Sequence, residues 1–136
     1  MIEAAVLCLA LNAYHEARSE GALGMAAVTQ VVLNRAAAGD RRWPRDVCAV
    51  VRQGGERRRH RCQFSWYCDG RSDRPRDARA WREARIVAAA VLDGSLRVRS
   101  LEGATCYHST SMDTPPQWAY KVEPVGVVAG HAFYRC

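Results

Sequence analysis

The fold of this chain is decided by a stretch that begins Asn12-Ala13-Tyr14-His15-Glu16-Ala17-Arg18-Ser19-Glu20-Gly21 and resumes as Ala27-Val28-Thr29-Gln30-Val31-Val32-Leu33-Asn34-Arg35. Apolar side chains recur at three- and four-residue steps on both sides of the Ser-Glu-Gly sequence. That spacing predicts a helix over residues 2–17, a break, and a second helix over 22–38. Gly39 is typical of the residue that follows a helix C-terminus.

Glu16 lies at the end of the first predicted helix, directly after Tyr14 and His15. A half-buried carboxyl beside aromatic groups tends to keep its proton near neutral pH, as a general acid must. An arbitrary glutamate at a helix end is usually solvated or paired with a base, here Arg18. The apolar stripe that leads up to Glu16, and the helix end at which a cleft can open, favour a catalytic role.

The rest of the chain predicts two further helices followed by short strands. Pro44 suits a first helical position, so a short helix is expected over 45–52, and an apolar face predicts a fourth over 77–92. Residues 53–76 show little periodicity and are interpreted as a long functional loop. Strands are predicted at 105–108, 119–123 and 130–134, with 125–128 as a candidate partner. Helices first and strands last indicate an α+β fold with a small C-terminal antiparallel sheet, in one domain over 1–136.

The net charge indicates which classes of binding partner the protein favours. The 20 basic and 14 acidic residues give a formal charge of +6, which favours nucleic acid or the anionic bacterial envelope. Arginine-rich runs at 57–61 and 71–79 are interpreted as solvated loops, because base recognition needs a presenting element and none is evident. We therefore expect no nucleic-acid partner. No segment has the length of a membrane span.

The six cysteines favour an oxidising compartment. Their even number and scattered spacing fit disulfides, although three bonds, one or two, or none all remain open. The absence of a Cys-x-x-Cys pair argues against structural zinc, and Cys8 can equally be a small buried hydrophobe. Glu3 stands where an export signal has basic residues, so we expect no signal peptide in the chain.

Aromatic and small polar residues are mixed in the loop at 63–70 and again at 105–110. A sugar-binding cleft needs flat apolar rings and a few directed hydrogen bonds. The same composition also describes a loop that is merely anchored to the core by Phe64 and Trp66. The candidate substrate-binding residues are Tyr14, His15, Arg18, Glu20, Phe64, Ser65, Trp66, Asp69, Tyr107, His108 and Trp118.

A second carboxylate, Glu20, follows Glu16 by four positions. A continuous helix would place both on one face, but the glycine after Glu20 predicts a break. Glu20 is therefore interpreted chiefly as a structural anion near the start of the second helix. His15, His108 and His131 lack the spacing of known metal-binding helices, so we expect no metal and no cofactor.

Several blocks spread over nearly the whole chain agree, in order, with one known family. They comprise residues 14–21, 27–35, 43–51, Gln63-Phe64-Ser65-Trp66, Trp81, 104–108, Pro116-Gln117-Trp118-Ala119 and Gly130-His131-Ala132-Phe133-Tyr134. Together they resemble the SleB-type cell wall hydrolases, which include spore cortex-lytic enzymes. The resemblance implies a compact catalytic domain distantly similar to lysozyme and to resuscitation-promoting factors.

The resemblance also implies a reaction. It implies cleavage of peptidoglycan between N-acetylmuramic acid and N-acetylglucosamine, with the family's catalytic glutamate at Glu16. Peptidoglycan is then the partner of a monomer that acts in the cell envelope or outside the cell, or of a phage enzyme that acts on the host wall. Arginines near the cleft are expected to attract stem-peptide carboxylates, an effect that salt weakens.

A single catalytic carboxyl is sufficient for lytic transglycosylation, which we expect here. A hydrolytic muramidase normally needs a second carboxyl some ~5–9 Å away, and Asp69 and Glu20 are the candidates. Two other classes remain as alternatives: a non-catalytic peptidoglycan-binding module and a nucleic-acid binder that uses the basic run at 57–61. Neither explains an acidic residue embedded between Tyr14 and Arg18.

Overall fold

A computed structural model of the chain describes residues 2–56 and 59–136. Within these residues the helices are α1 (Ile2–Ala17), α2 (Gly21–Ala37), α3 (Val47–Arg52) and α4 (Ala78–Asp93). The strands β1 (Cys106–Ser109), β2 (Glu123–Val128) and β3 (His131–Arg135) follow them. The predicted α+β class is confirmed, since helices precede a small antiparallel sheet.

Helix α2 lies at the centre of the core. Its residues 24–32 are all buried, because α1, α3 and α4 pack around it. A 3₁₀ turn, Arg18–Glu20, separates it from α1, and Gly21 takes a φ of +75° that side-chain-bearing residues avoid. The predicted break is therefore confirmed. Within the described residues, no helix combines the length and the apolar composition needed to cross a membrane.

The predicted start of the third helix is wrong by two residues. Helix α3 begins at Val47, after Pro44 and Arg45. Asp46 determines this boundary, because its carboxylate accepts the backbone N–H of Ala49 at 3.0 Å and caps the helix. A side-chain cap therefore overrides the preference of proline for a first helical turn.

The strand predicted at 119–123 is also wrong. Residues Gln117–Lys121 form a 3₁₀ turn, and β2 begins only at Glu123. The backbone N–H of Ala119 donates to the carbonyl of Pro116 at 3.0 Å, and the Ala119 side chain is buried. This local bond closes the turn and leaves the segment without a place in the sheet.

The sheet has the order β1-β3-β2, and both pairings are antiparallel. Tyr107 on β1 lies opposite Phe133 on β3, and His108 lies opposite Ala132. Because side chains alternate along a strand, Tyr107 and His108 point to opposite faces of the sheet. Phe133 is almost fully buried, so the face that carries Tyr107 is the one turned towards the helices.

Polar side chains on α2 hold the chain that leads into β1. Arg35 Nε donates to the carbonyl of Thr105 at 2.7 Å, and Asn34 Nδ2 donates to the carbonyl of Ala104 at 2.8 Å. One turn earlier, Gln30 Oε1 accepts a backbone N–H from residue 98 at 3.1 Å. These bonds satisfy backbone groups of an irregular segment. They also fix the entry of β1, and hence Tyr107, relative to α1 and α2.

All six cysteines lie in disulfide pairs. The number of disulfides, which the sequence left open, is therefore three. Cys8–Cys48 joins α1 to α3, Cys62–Cys68 closes part of the long loop, and Cys106–Cys136 ties β1 to the last residue. Their Cα atoms are 5.4, 6.0 and 6.0 Å apart, within the usual range. Cys8 is therefore a bonded cysteine as well as a buried one.

Candidate active site

Glu16 lies in the last turn of α1, half-buried in the wall of a cleft of about 440 Å³. Burial raises the pKa of its carboxyl above the ordinary 4.5. A hydrogen bond from the Tyr107 hydroxyl to Glu16 Oε1 acts in the opposite direction, as do the charges of His131, His15 and Arg35. Burial therefore disfavours the ionised form of Glu16, whereas the hydrogen bond and the neighbouring charges stabilise that form.

Tyr107 reaches Glu16 from β1 across 91 positions of sequence. Its ring packs edge-on against His131, with centroids 4.9 Å apart, and tilted against Phe133. Burial and the nearby charge of Glu16 raise the pKa of the Tyr107 phenol well above its ordinary value. The phenol consequently stays protonated and acts as a hydrogen-bond donor to Glu16.

Glu20 is held by the β-sheet and does not line the cleft. Its carboxylate accepts the backbone N–H of Gly130 at 2.8 Å and faces His131 Nδ1 at 3.0 Å. The side chain folds back over Gly24, where a Cβ atom would lie only 2.5 Å from that of Glu20. Glu20 thus fastens the turn between β2 and β3 to the turn between α1 and α2.

His15 and Trp66 form a stacked pair in the cleft wall. Their ring centroids are 4.7 Å apart with planes at 17°, and Trp66 is 8% exposed. Trp66 Nε1 donates to Asn12 Oδ1 at 2.9 Å, while His15 Nε2 donates to the carbonyl of Asp73 at 2.8 Å. The pair therefore connects α1 to the long loop at two residues that line the cleft, Trp66 and Asp73.

Tyr14 also joins α1 to that loop. Its hydroxyl accepts the backbone N–H groups of Arg76 at 3.1 Å and Asp77 at 3.0 Å, directly before α4. The Arg18 guanidinium lies 4.8 Å from the centre of its ring. Tyr14 is only 4% exposed, so its main contribution is to position the loop.

Neutral polar, acidic and basic residues also line the cleft. Ser65 and Asp69 are there, and the Asp69 carboxylate accepts the Arg71 backbone N–H at 2.8 Å. Asp73 was not singled out in the sequence, yet it lines the same cleft and desolvation raises its pKa. The arginines of the cleft wall are Arg18, Arg71, Arg74 and Arg76.

Besides Glu20 and Tyr107, three further predicted residues do not line the cleft with Glu16. Phe64 is 3% exposed in the core, with the Arg35 guanidinium 5.3 Å from its ring. His108 lies on the other face of the sheet, where its Nε2 is 2.8 Å from the Tyr134 hydroxyl. Trp118 packs edge-on against the His108 ring and lines a second cavity of about 580 Å³.

The two cavities are linked through one hydrogen bond. Tyr107 lines the second cavity, and its hydroxyl donates to Glu16, which lines the cleft. A larger cavity, of about 770 Å³, lies elsewhere, between the start of α1 and the end of α4. None of the candidate site residues lines it.

The histidines have separate partners. His15 bonds a loop carbonyl, His108 bonds Tyr134 and His131 faces Glu20. In residues 2–56 and 59–136, no three His, Cys, Asp or Glu side chains are grouped closely enough to hold a metal ion. Of the basic run at 57–61, residues 57 and 58 lie outside the described residues, and the other three are exposed.

Sequence reasoning missed His131, Arg35 and Asp73 as neighbours of the site. His131 was considered in the sequence as a strand residue and as a metal ligand, although its placement two residues before Phe133 puts both side chains on one face of that strand. Arg35 ends the quoted stretch of α2, and a buried arginine on that helix needs a polar partner. Asp73 lies in an aperiodic segment and gave no signal.

Comparison with known proteins identifies a family. A family model described as Cell Wall Hydrolase matches residues 19–134, a match that begins three residues after Glu16. No match was found among curated proteins or among solved structures, so the expected likeness to lysozyme stays a prediction. The match supports peptidoglycan as the material acted on and is consistent with a location in the cell envelope or outside the cell. Because it covers most of the chain, the protein belongs to the Cell Wall Hydrolase family.

Proposed function

We propose that this protein is a SleB-type lytic transglycosylase, which cleaves glycan strands between N-acetylmuramic acid and N-acetylglucosamine. The observation that carries the proposal is the raised pKa of Glu16, a half-buried carboxyl in the wall of an open cleft. A general acid for glycoside cleavage must hold its proton near neutral pH. Membership of the Cell Wall Hydrolase family supplies the polymer.

The proposed reaction uses one carboxyl twice. Protonated Glu16 gives its proton to the glycosidic oxygen as the bond to the muramyl C1 breaks, and the N-acetylglucosamine residue leaves with a free hydroxyl. The muramyl C6 hydroxyl then attacks C1 and closes a 1,6-anhydro ring. Its proton passes to the Glu16 carboxylate, which returns to the acid form, and no water is consumed.

Tyr107 determines which carboxyl oxygen of Glu16 carries the proton that is transferred. Its hydroxyl donates to Oε1, so the acidic proton belongs on Oε2. The bond also orients the carboxyl and stabilises the carboxylate that remains after the first proton transfer. Tyr107 is accordingly proposed as a positioning residue.

The remaining predicted residues are proposed in two groups. His15, Arg18, Ser65, Trp66 and Asp69 line the cleft and would contact the glycan strand directly. The others act from outside this group, in the core, at the loop anchor, on the sheet or in the second cavity: Tyr14, Glu20, Phe64, His108 and Trp118.

Replacement of the proposed acid tests the mechanism. Glu16→Gln keeps an oxygen for the Tyr107 bond but has no proton to give, so release of soluble fragments from purified peptidoglycan should fall about 10²–10⁴-fold. The matched control is Glu3→Gln, an exposed glutamate in the first turn of α1. Undiminished release by Glu16→Gln, with an unchanged circular dichroism spectrum, would remove Glu16 from its role.

A hydrolytic muramidase is the second candidate, because the Asp69 and Asp73 side chains share the cleft with Glu16. Mass spectrometry of the digested wall separates the two reactions. Transglycosylation leaves anhydromuramyl ends, whereas hydrolysis leaves reducing ends. Reducing ends, together with loss of turnover in Asp69→Asn or Asp73→Asn, would establish hydrolysis with that residue as the second carboxylate.

A further inference from the structure

Two residues that line the second cavity carry a buried donor and a buried acceptor that have no partner among the described residues. These atoms are Arg35 Nη1 and Gln53 Oε1. Both residues line the cavity of about 580 Å³, together with Trp43, Tyr107 and Trp118. Unpaired buried polar atoms cost free energy, so a ligand that bonds both would recover that cost.

The guanidinium of Arg35 is held in place for such a ligand. Its Nε donates to the carbonyl of Thr105 at 2.7 Å. The rings of Trp43 and Phe64 lie 5.5 and 5.3 Å from its central carbon, and the residue is only 7% exposed. Its orientation is therefore set before any ligand binds.

The orientation of the Gln53 amide is equally defined. Its Nε2 donates to the backbone carbonyl of Arg42 at 2.7 Å. A carbonyl oxygen can only accept a hydrogen bond, so the nitrogen must occupy this side of the amide. Oε1 is then an acceptor, and no donor among the described residues bonds it.

A donor and an acceptor in one cavity fit an amide better than an anion. A carboxylate would accept from Arg35 but would be repelled by Gln53 Oε1, and Arg42 is already paired with Asp40 at 2.7 Å. An amide offers a carbonyl to Arg35 and an N–H to Gln53. Trp43 and Trp118 offer apolar surface for a methyl group and a sugar ring.

We infer that this cavity binds the 2-acetamido group of an amino sugar in the glycan strand. The inference rests on the proposed function and names the group that the enzyme recognises. Because Tyr107 lines this cavity and bonds Glu16, an amino sugar bound here shares Tyr107 as a neighbour with the proposed acid. A strand that enters both cavities would pass the Tyr107–Glu16 pair.

Binding of a soluble glycan tests the inference. N-acetylated chitotetraose should bind and shift the indole NMR signals of Trp43 and Trp118, whereas cellotetraose, with hydroxyls in place of acetamido groups, should bind at least about tenfold more weakly. Gln53→Met should weaken the Kd for the N-acetylated probe by about three- to tenfold. The exposed Gln117→Met is the matched control and should leave it unchanged.

The contribution of Arg35 to binding is tested in the same way. Arg35→Lys keeps the charge and loses the Nη1 donor, so the Kd should weaken by about ten- to a hundredfold; Arg97→Lys, on an exposed arginine, is its control. Because replacement of the buried Arg35 puts folding at risk, Gln53→Met, at a less buried residue, tests the site independently. Equal binding of the two probes, or an unchanged Kd in a folded Gln53→Met, overturns the inference.

The outcomes also separate this inference from the proposed function. If the wild-type protein binds the N-acetylated probe at Trp43 and Trp118 but does not cleave peptidoglycan, the proposed function fails and the site stands. If it cleaves peptidoglycan but the probe shifts signals elsewhere, the site fails and the proposed function stands.

Discussion

Opposing effects act on the carboxyl of Glu16. Burial raises its pKa, while Tyr107, His131, His15 and Arg35 each lower it. A carboxyl that must give a proton and then take one back needs both effects, because neither form can be strongly preferred. The pKa of Glu16 should therefore respond to changes in its neighbours.

Tyr107→Phe should move the pH profile. Loss of the hydroxyl removes an effect that lowers the Glu16 pKa, so that pKa rises further and the basic limb of kcat/KM shifts to higher pH. The rate itself should fall by about tenfold, because the carboxyl also loses its orientation. The assay is fragment release from peptidoglycan between pH 4 and pH 9, with the exposed Tyr120→Phe as control. A basic limb that stays in place would show that Tyr107 does not tune Glu16.

Glu20→Gln should retain most turnover. The amide oxygen can still accept from Gly130 and His131, so the link between the two turns survives. Glu20→Ala removes both bonds and should lower the free energy of unfolding by about 1–3 kcal/mol, measured by urea denaturation. A folded Glu20→Gln that has lost activity as completely as Glu16→Gln would instead make Glu20 the second catalytic carboxylate.

Sequence alone could single out Glu16 as the candidate acid, a role that stays a prediction, but it could not single out the partners of Glu16. Glu16 was recognisable because its signals are local: an apolar stripe, two adjacent ring side chains and a break in the helix. The hydrogen bond from Tyr107 and the contact between His131 and Glu20 depend on sheet register and helix packing. Such pairings lie 91 and 111 positions apart and leave no trace in a single sequence.

At the scale of elements, periodicity predicted the long helices. It missed the short segments whose structure depends on local hydrogen bonds. The predicted and observed ranges of α1 agree, and those of α4 differ by one residue at each end, because each buries an apolar stripe. The segment at 117–121 has strand-like composition, yet the bond between Ala119 and Pro116 closes it into a turn. Hydrogen bonds between close neighbours therefore override composition in this short segment.

Removal of two of the disulfides should affect different properties of the protein, one its stability and the other its substrate binding. Cys8–Cys48 joins residues 40 positions apart and should stabilise the fold by about 4 kcal/mol, against about 2 kcal/mol for Cys62–Cys68, which joins residues 6 apart. The second bond, however, clamps the 3₁₀ turn Ser65–Cys68, which carries Trp66. Replacing the first pair by serines should mainly lower Tm, and replacing the second should mainly raise KM.

Calorimetry and peptidoglycan kinetics on the two double variants provide the comparison, and each variant is the control for the other. If both lose Tm and activity in the same proportion, the loop bond has no separate role in shaping the cleft.

For the whole molecule, the charge of +6 and the arginines of the cleft predict a salt-sensitive attraction to the wall. Screening shortens from about 10 Å at 0.1 M salt to about 3 Å at 1 M. Binding of the Glu16→Gln variant to intact sacculi, measured by sedimentation, should therefore weaken several-fold over this range. Binding of neutral chitotetraose should not change, because it carries no charge.

The position of the charge can be separated from its total. Arg71→Gln combined with Arg74→Gln removes two charges from the cleft wall, while Arg82→Gln combined with Arg99→Gln removes two exposed charges that do not line it. The first pair should flatten the salt dependence of sacculus binding, and the second should leave it close to that of the parent. Equal effects of both pairs would mean that net charge alone attracts the protein, and that the cleft arginines do not guide the polymer towards Glu16.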